Sequence, residues 1–130
     1  MNNALMCRTL VGLAACAVLA SSAQAPAIKR TMLQRIDTNS NQEAVTAIAE
    51  IAPGGQSGRH SHPGTESSYV LQGEGTLEID GEPARPVKAG DSFSIPAERV
   101  HNAKVSGSSP LRVLTTYVVE KGKPLASPAK

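Results

Sequence analysis

The sequence has no tryptophan and only three other aromatic side chains, Tyr69, Phe93 and Tyr117. A hydrophobic core must therefore be built mainly from Val, Ile, Leu and Ala, which suits a fold with a small interior. The only two cysteines are Cys7 and Cys16, both near the N-terminus. If they leave with an export signal, the rest of the chain contains no disulfide bond, thiol nucleophile or zinc–thiolate site.

The sequence also lacks an excess of charge of either sign. It has 13 basic and 11 acidic side chains, a net charge of +2, and without Arg8 the balance is 12 against 11, a net charge of +1. There is no block of like charge, internal repeat or long low-complexity tract. This balance gives no reason to expect a nucleic acid or an anionic membrane surface as a partner.

The longest apolar run, Leu10 to Ala20, is shorter than the ~20 residues that a transmembrane helix needs. It follows Arg8 and is followed by small residues up to Ala25, a pattern typical of an export signal. We therefore predict a signal peptide over residues 1–23 and a periplasmic or secreted protein. Cleavage is expected after Ala23, or after Ala25, where Pro26 would hinder the peptidase because it has no N–H and a fixed φ.

Lipoprotein processing is the alternative for this segment. Leu13-Ala14-Ala15-Cys16 would place a lipid anchor on Cys16. Against this alternative, the apolar run continues past Cys16 through Leu19, where a mature lipoprotein would normally turn polar. Once the signal is removed by ordinary cleavage, no membrane association is expected.

Strand patterns dominate the sequence from Met32 onward, and no convincing amphipathic helix follows Ala25. The predicted strands alternate apolar and polar residues and are separated by glycine and proline. They cover Val45–Ile51, Glu66–Gln72, Gly75–Ile79, Asp91–Ile95 and Leu111–Val119. Short strands at this spacing predict an all-β protein, an antiparallel sandwich or barrel.

Turn residues refine this organisation. Asp80-Gly81 predicts a two-residue hairpin turn, and Pro83 and Pro86 predict an irregular return strand that is not central in a sheet. We divide the mature chain into an N-terminal arm with the first strand at 24–42, a barrel at 43–120 and a tail at 121–130. The tail contains Pro124 and Pro128 and is predicted to be loose.

The sequence has three histidines, and two of them stand two residues apart at His60 and His62. In an extended strand such a pair points to one face. Glu66 follows the turn-forming pair Pro63-Gly64, so a second strand can bring its carboxylate beside the imidazoles. Two imidazoles and a carboxylate on one face predict a site for a divalent cation.

Two stretches carry a family resemblance. Gly54-x5-His60-x-His62-x3-Glu66-x6-Gly73 resembles the first motif of the cupin superfamily, and Gly90-x5-Pro96-x-Glu98-x2-His101 resembles the second. The resemblance covers residues 43–120 and implies a double-stranded β-helix, or jelly-roll barrel. It implies four metal ligands, His60, His62, Glu66 and His101. Two residues depart from the pattern: Glu98 where the family has glycine, and Val105 where it has asparagine.

The resemblance implies one divalent ion, and family members use Fe, Mn, Ni, Cu or Zn. Affinity in the Irving–Williams order favours copper and zinc for a protein that folds outside the cytoplasm. Four protein ligands leave one or two open positions, which a catalytic or ligand-binding metal requires. We expect a small-molecule metalloenzyme with oxygenase-type chemistry on a hydroxylated or enolisable compound. The alternative is a ligand-binding or metal-sequestering protein without turnover.

Few other residues are candidates for a part in the chemistry. Glu98 could act as an acid or base or orient a bound water, and the alternative is a solvated loop carboxylate. Tyr117 is predicted as a core or interface residue rather than a residue of the pocket. Arg59 and Ser61 flank the ligands and point away from them by strand alternation.

Tyr69 and Leu71 lie on the strand face opposite Glu66. Their presence indicates that this outer face is covered, either by the N-terminal strand or by a second subunit. We predict a homodimer; the alternative is a monomer with Tyr69 lying flat on its own surface.

Overall fold

A computed structural model describes residues 28–130, which form ten strands and no helix. The strands are β1 Ile28–Asp37, β2 Gln42–Ile51, β3 His60–Ser61, β4 Gly64–Gln72, β5 Glu74–Ile79, β6 Arg85–Lys88, β7 Ser92–Ile95, β8 His101–Val105, β9 Leu111–Glu120 and β10 Ser127–Pro128. The predicted signal segment, with both cysteines and both candidate cleavage sites, lies outside the described residues. None of the described residues belongs to a helix long and apolar enough to cross a membrane.

The strands form two five-stranded antiparallel sheets, in the orders β1-β2-β9-β4-β7 and β10-β3-β8-β5-β6. Both sheets contribute to one hydrophobic cluster, which contains Ile51, Val70 and Val113 from the first sheet and Leu77 and Ile79 from the second. The two sheets therefore face each other across a shared interior. The all-β prediction is confirmed.

Alternation along the strands explains which residues enter this interior. In β2 and β9 every second residue is buried, and the two strands pair along their whole length. A second, smaller cluster gathers Val45, Ala47, Tyr117 and Val119 from these strands. Burying an aliphatic or aromatic side chain of this kind stabilises the fold by about 1.5–3 kcal/mol, so the paired strands β2 and β9 form a stable platform for the residues they carry.

The connection between β5 and β6 is longer than predicted. The backbone N–H of Glu82 donates to the Ile79 carbonyl at 3.0 Å, which closes a turn around Asp80 and Gly81. Strand pairing resumes only at Arg85, because Pro83 has no N–H to donate to a ladder. The prediction that the proline-containing strand is not central is confirmed, since β6 lies at a sheet edge.

The C-terminal tail is ordered, which corrects the prediction of a loose segment. β10 pairs with β3 through Ser127 opposite Ser61 and Pro128 opposite His60. The N–H of Ala129 donates to the Arg59 carbonyl at 3.0 Å. Pro124 precedes β10, and Pro128 does not prevent the pairing because β10 is an edge strand, where a missing donor can face outward.

The N-terminal strand β1 extends the first sheet at its edge instead of covering a face. It pairs with β2 from Ile28 opposite Ile51 to Asp37 opposite Glu43, with an irregularity between Met32 and Gln34. The outer-face residues Tyr69 and Leu71 remain 48% and 42% exposed. The alternative in which the N-terminal strand covers these two residues is therefore wrong.

Candidate metal centre

The three histidines come together in the interior, although His60 and His101 lie on two different strands and His62 lies just after the first of them. His60 opens β3 and His101 opens β8, and the two residues are direct partners in the antiparallel pairing. Their ring centroids are 4.3 Å apart, and those of His60 and His62 are 4.8 Å apart. All three side chains are buried. The prediction that His60 and His62 share one face agrees with this arrangement.

Glu66 reaches the histidines from the opposite sheet. The chain crosses between the sheets at Pro63, and Gly64 begins β4 directly beside β9. A Cβ atom on Gly64 would collide with the Val118 carbonyl, so only glycine permits this close pairing. Glu66 then faces inward, with Oε2 3.0 Å from His62 Nε2 and 3.2 Å from the Nε2 of His101.

Each imidazole is oriented by a backbone carbonyl. Nδ1 of His60 donates to Gly58 at 2.8 Å, Nδ1 of His101 donates to Arg99 at 3.0 Å, and Nδ1 of His62 donates to Leu125 in the C-terminal tail at 2.6 Å. A neutral imidazole that donates through Nδ1 carries its free lone pair on Nε2. These three contacts therefore fix both the tautomer and the direction of each ring, as partners of metal-binding histidines do.

The resulting arrangement suits a cation. One coordinating nitrogen from each of the three histidines lies within 4.8 Å of the others. His62 Nε2 is buried and has no hydrogen-bond partner among residues 28–130, although the Glu66 carboxylate is 3.0 Å away. The Nε2 lone pair and the carboxylate oxygen are both acceptors, so neither can donate a hydrogen bond to the other. A positive ion between the two atoms would satisfy both. The three histidines are thus positioned to bind a metal ion.

Electrostatics keep the ligand atoms in the protonation states that a metal requires. Burial, assisted by the neighbouring His101, His62 and Arg30, lowers the pKa of His60 to about 4, so its imidazole is neutral at pH 7. Burial raises the pKa of Glu66, but the adjacent imidazoles of His101 and His62 and the hydrogen bond from Ser68 outweigh it and hold this pKa below its ordinary value. Glu66 is therefore ionised at neutral pH.

Two hydroxyl groups hold the carboxylate of Glu66. Ser68 Oγ donates to Glu66 Oε1 at 2.6 Å, and Ser68 and Thr115 share a hydrogen bond of 2.9 Å. Sequence alternation predicts that Ser68 lies on the same face as Glu66, and this is what the structure shows. The part of Thr115 has no sequence signal, because it depends on the pairing of β4 with β9.

A cavity of about 40 Å³ adjoins His60, His101 and Glu66. Its walls are mostly apolar, with Ile51, Leu77, Phe93 and Val113 among them. The polar residues that line it are Arg30, Ser57, His60, Glu66, His101, Thr115 and Tyr117. Open space beside the ligands is what a metal with a free coordination position requires.

Two cavity residues differ from the sequence expectation. Tyr117 is buried as predicted, but it also lines the cavity, with its ring centroid 4.6 Å from that of His62. Arg30 on β1 was not predicted from the sequence as a site residue, yet its Nη2 lies 3.4 Å from His60 Nε2. Its strand lacks the alternating pattern that would have indicated an inward face.

Glu98 is not brought to the cluster. Its side chain is exposed and does not line the cavity. It is the only described non-glycine residue with a positive φ, 59°, and its N–H donates to the His62 carbonyl at 2.9 Å. The loop therefore keeps a left-handed conformation that suits glycine, and Glu98 contributes through its backbone. A role for its carboxylate as an acid or base remains a prediction that this placement does not favour.

Arg59 and Ser61 are not site residues either. The Arg59 guanidinium pairs with Asp80 through contacts of 2.9 and 2.7 Å. Ser61 is engaged through its backbone in the pairing of β3 with β10. Both placements agree with the expectation that these residues point away from the ligands.

Comparison with known proteins identifies the family. A family model described as the cupin domain matches residues 47–117, more than half of the chain. The chain is a cupin. This cupin is 31% identical over 108 residues to germin-like protein subfamily 2 member 2 of Arabidopsis thaliana, in a match that covers 71% of the chain. The same match covers 48% of that relative, so the cupin spans about half the length of the curated protein it matches.

Solved structures agree on the fold. One is an uncharacterized conserved protein with a double-stranded β-helix domain from Klebsiella pneumoniae, with a TM-score of 0.61 and 22% identity over 79% of the cupin and 85% of that chain. Another is an oxalate decarboxylase from Lactobacillus farciminis, with a TM-score of 0.63 and 23% identity over 81% of the cupin and 32% of that chain. At these identities the likeness extends to the double-stranded β-helix alone.

Proposed function

We propose that this cupin binds one divalent metal ion through the Nε2 atoms of its three histidines and the carboxylate of Glu66. The observation that carries the proposal is the convergence of these atoms while every Nδ1 is bonded to a carbonyl oxygen. Elemental analysis of the purified protein should find close to one ion per chain. Glu66→Gln should weaken binding, whereas Glu82→Gln, which removes an exposed carboxylate, should not. Equal metal content in both variants would remove Glu66 from the ligand set.

The proposed activity is that of a small-molecule metalloenzyme with oxygenase-type chemistry on a hydroxylated or enolisable compound. When bound, iron or copper would supply reactivity towards dioxygen at a position open to the cavity. The chain contributes a small, mostly apolar cavity, and the hydroxyls of Ser68 and Thr115 hold the Glu66 carboxylate in place. Oxygen consumption by protein loaded with each metal, screened against such compounds, should depend on the ion and disappear in Glu66→Gln.

A specific observation supports a second candidate, a ligand-binding or metal-sequestering cupin without turnover. Apart from the proposed ligands, the titratable residues lining the cavity are Arg30 and Tyr117. A guanidinium does not exchange its proton, and burial and the nearby Glu66 raise the pKa of Tyr117 above its ordinary value of 10.0. The cavity wall therefore offers no ready acid or base beside the ligands. Metal binding without oxygen consumption on any compound would favour this candidate.

The identity of the ion follows from ligand chemistry only in part. Imidazole and carboxylate ligands accept Fe, Mn, Ni, Cu or Zn, and affinity alone favours copper and zinc. We propose that the compartment in which the chain folds selects among them. Metal analysis of protein recovered from its native compartment should find one dominant metal, and a variable mixture would contradict selection by compartment.

We further propose that the protein is exported. The support is the charged, apolar and small-residue sequence of residues 1–25, together with the confinement of both cysteines to that segment. Mass spectrometry of the mature protein should show a chain that begins at Gln24, or at Pro26. A diacylglyceryl group on Cys16 would show instead that the chain is lipid-anchored.

The outer face of the first sheet supports a homodimer. Tyr69 lies opposite Leu114, which lies opposite Ile48, so apolar side chains form a continuous row across three strands. Exposed Leu71 and Val118 widen this apolar area. We propose that a second copy covers it, because solvent contact with such an area is unfavourable. Light scattering should give the mass of a dimer for the wild type and of a monomer for Tyr69→Asp, and a monomeric wild type would contradict the proposal.

A further inference from the structure

Arg30 lines the cavity beside the proposed metal site, and its hydrogen-bond donors are only partly satisfied by the described residues. It stands on β1 opposite Ala49, and its guanidinium enters the cavity from the edge of the first sheet. Nη2 lies 3.4 Å from His60 Nε2, a long contact, and Nε is buried with no hydrogen-bond partner. A guanidinium has five N–H donors and remains charged at any physiological pH. Arg30 therefore has one buried donor without an acceptor among the described residues, and another that makes only a long contact.

The charge balance of the site indicates which kind of group would accept hydrogen bonds from Arg30. With the proposed ion, three neutral imidazoles and the Glu66 carboxylate leave a net charge of about +1. The Arg30 guanidinium adds another positive charge beside it. When His60 Nε2 gives its lone pair to the ion, Arg30 also loses its contact with that nitrogen. Two cations side by side in a buried cavity repel each other unless an anion lies between them.

We propose that Arg30 and the metal together bind the carboxylate group of a small anionic ligand. This inference rests on the proposed metal site and defines the ligand class of that site. One carboxylate oxygen occupies the open metal position, and the other accepts hydrogen bonds from the guanidinium, whose planar fork matches a carboxylate. Arg30 is thus a specificity-determining residue.

The cavity limits the size of this ligand. A volume of about 40 Å³ corresponds to about three water molecules at about 10–15 Å³ each. A carboxylate of about three to five non-hydrogen atoms, such as formate or acetate, is of this size. The rest of the ligand would contact Leu77, Phe93 and Val113, which offer apolar surface only. A second charged group on the ligand would find no partner among these three residues.

The test measures anion binding to the ion directly. Protein loaded with Co²⁺ is titrated with sodium acetate at constant ionic strength, and the visible absorption of the ion reports binding without any turnover. The wild type should show a saturable spectral change with acetate and none with acetamide, its neutral analogue. Arg30→Gln should weaken acetate binding by about 10- to 100-fold at equal cobalt content, as expected for the loss of a hydrogen bond to a charged group. Arg30→Lys, which keeps the charge and loses the fork, should fall between the two.

Lys29→Gln is the matched control. Lys29 precedes Arg30 on the same strand and is exposed. Its substitution removes the same charge, so the Lys29→Gln variant should bind acetate as the wild type does. Equal acetate affinity in Arg30→Gln and the wild type would overturn the proposal, as would equal binding of acetamide and acetate. Loss of cobalt from Arg30→Gln would also overturn it, because Arg30 would then support the metal rather than the anion. If the wild type binds no cobalt at all, the metal site itself fails, a result distinct from a loaded site that ignores acetate.

Discussion

The hydrogen bond from His62 to the C-terminal tail leads to a prediction about metal affinity. Deletion of residues 124–130 removes the Leu125 carbonyl that accepts from His62 Nδ1 at 2.6 Å and the pairing of β10 with β3. His62 then loses the contact that sets its tautomer and ring direction. Loss of such a partner reduces metal affinity by about 10- to 100-fold, equivalent to about 1.4–2.7 kcal/mol.

The same deletion should also reduce the stability of the metal-free fold. Leu125 packs against the cluster of Val45, Ala47, Tyr117 and Val119, and the N–H of Ala129 bonds to the Arg59 carbonyl. Partial burial of a leucine contributes about 1–2 kcal/mol and each hydrogen bond about 0.5–1.5 kcal/mol. Release of the ordered tail recovers part of this in conformational entropy. A net loss of about 1–3 kcal/mol is expected, a fall in Tm of roughly 4–8 °C for each kcal/mol.

Leu125→Ala separates orientation from packing. It keeps the carbonyl and removes most of the side chain, so it should reduce Tm while leaving the metal Kd within about threefold of the wild type. Metal Kd is measured by competition with a chromophoric chelator, and Tm by circular dichroism of the metal-free protein. The reasoning is refuted if the truncated chain binds metal as tightly as the wild type. It is also refuted if Leu125→Ala loses as much affinity as the truncation does.

Three further predictions concern the ion, the pH and the loop before His101. His62→Ala should lose most of the bound metal by elemental analysis, and full metal content in a His60→Ala, His62→Ala double variant would contradict the site. The metal-free barrel should fold, and saturating metal should stabilise it by roughly 3–4 kcal/mol at 100 to 1,000 times Kd, raising Tm by on the order of 10–30 °C. The pKa of His60 is about 4 in the folded chain and 6.5 in the unfolded chain, so the unfolded chain binds more protons between these two pH values. The stability of the metal-free protein should therefore fall as pH drops from about 6.5 towards 4. Thermal melts at pH 7.5 and 5, with and without metal, check both effects, and identical melts would contradict them. Glu98 has a left-handed backbone conformation, which costs a glutamate about 1–2 kcal/mol and which Glu98→Gly should relieve. Greater backbone freedom of glycine in the unfolded state offsets part of this gain. Tm should therefore rise or stay level, and the metal content should not change.

Strand periodicity and a turn signal in the sequence could predict three of the four proposed ligands, whereas His101 was implied only by the family resemblance. Residues two apart share a face, so His60 and His62 converge wherever the segment is extended. The prediction of Glu66 is less direct, because this residue reaches the site from the facing sheet rather than from a neighbouring strand of a hairpin. The turn at Pro63-Gly64 nevertheless carries the sequence signal for that change of direction. Strand alternation and the turn signal were therefore sufficient to predict the proposed ligands that precede Gly73.

Arg30 and Leu125 could not be predicted in this way. β1 is largely exposed and contains an irregularity between Met32 and Gln34, so it has no clean alternation to indicate an inward side chain. Leu125 acts through its carbonyl oxygen, a group that every residue possesses and that no sequence pattern distinguishes. Their roles depend on contacts between segments far apart in the chain, which only the assembled sheets determine.

The attachment of His62 to Leu125 has a consequence for the order of folding. The final geometry of the site requires residues that are 63 positions apart to meet, after both sheets have formed. Contacts of such long range form late, because loop closure must precede them. An ion at the proposed site would therefore reach its full affinity only in an almost complete barrel. With the proposed site, the metal that the protein retains would then depend on the ions present where the last strand docks, rather than where the chain is synthesised.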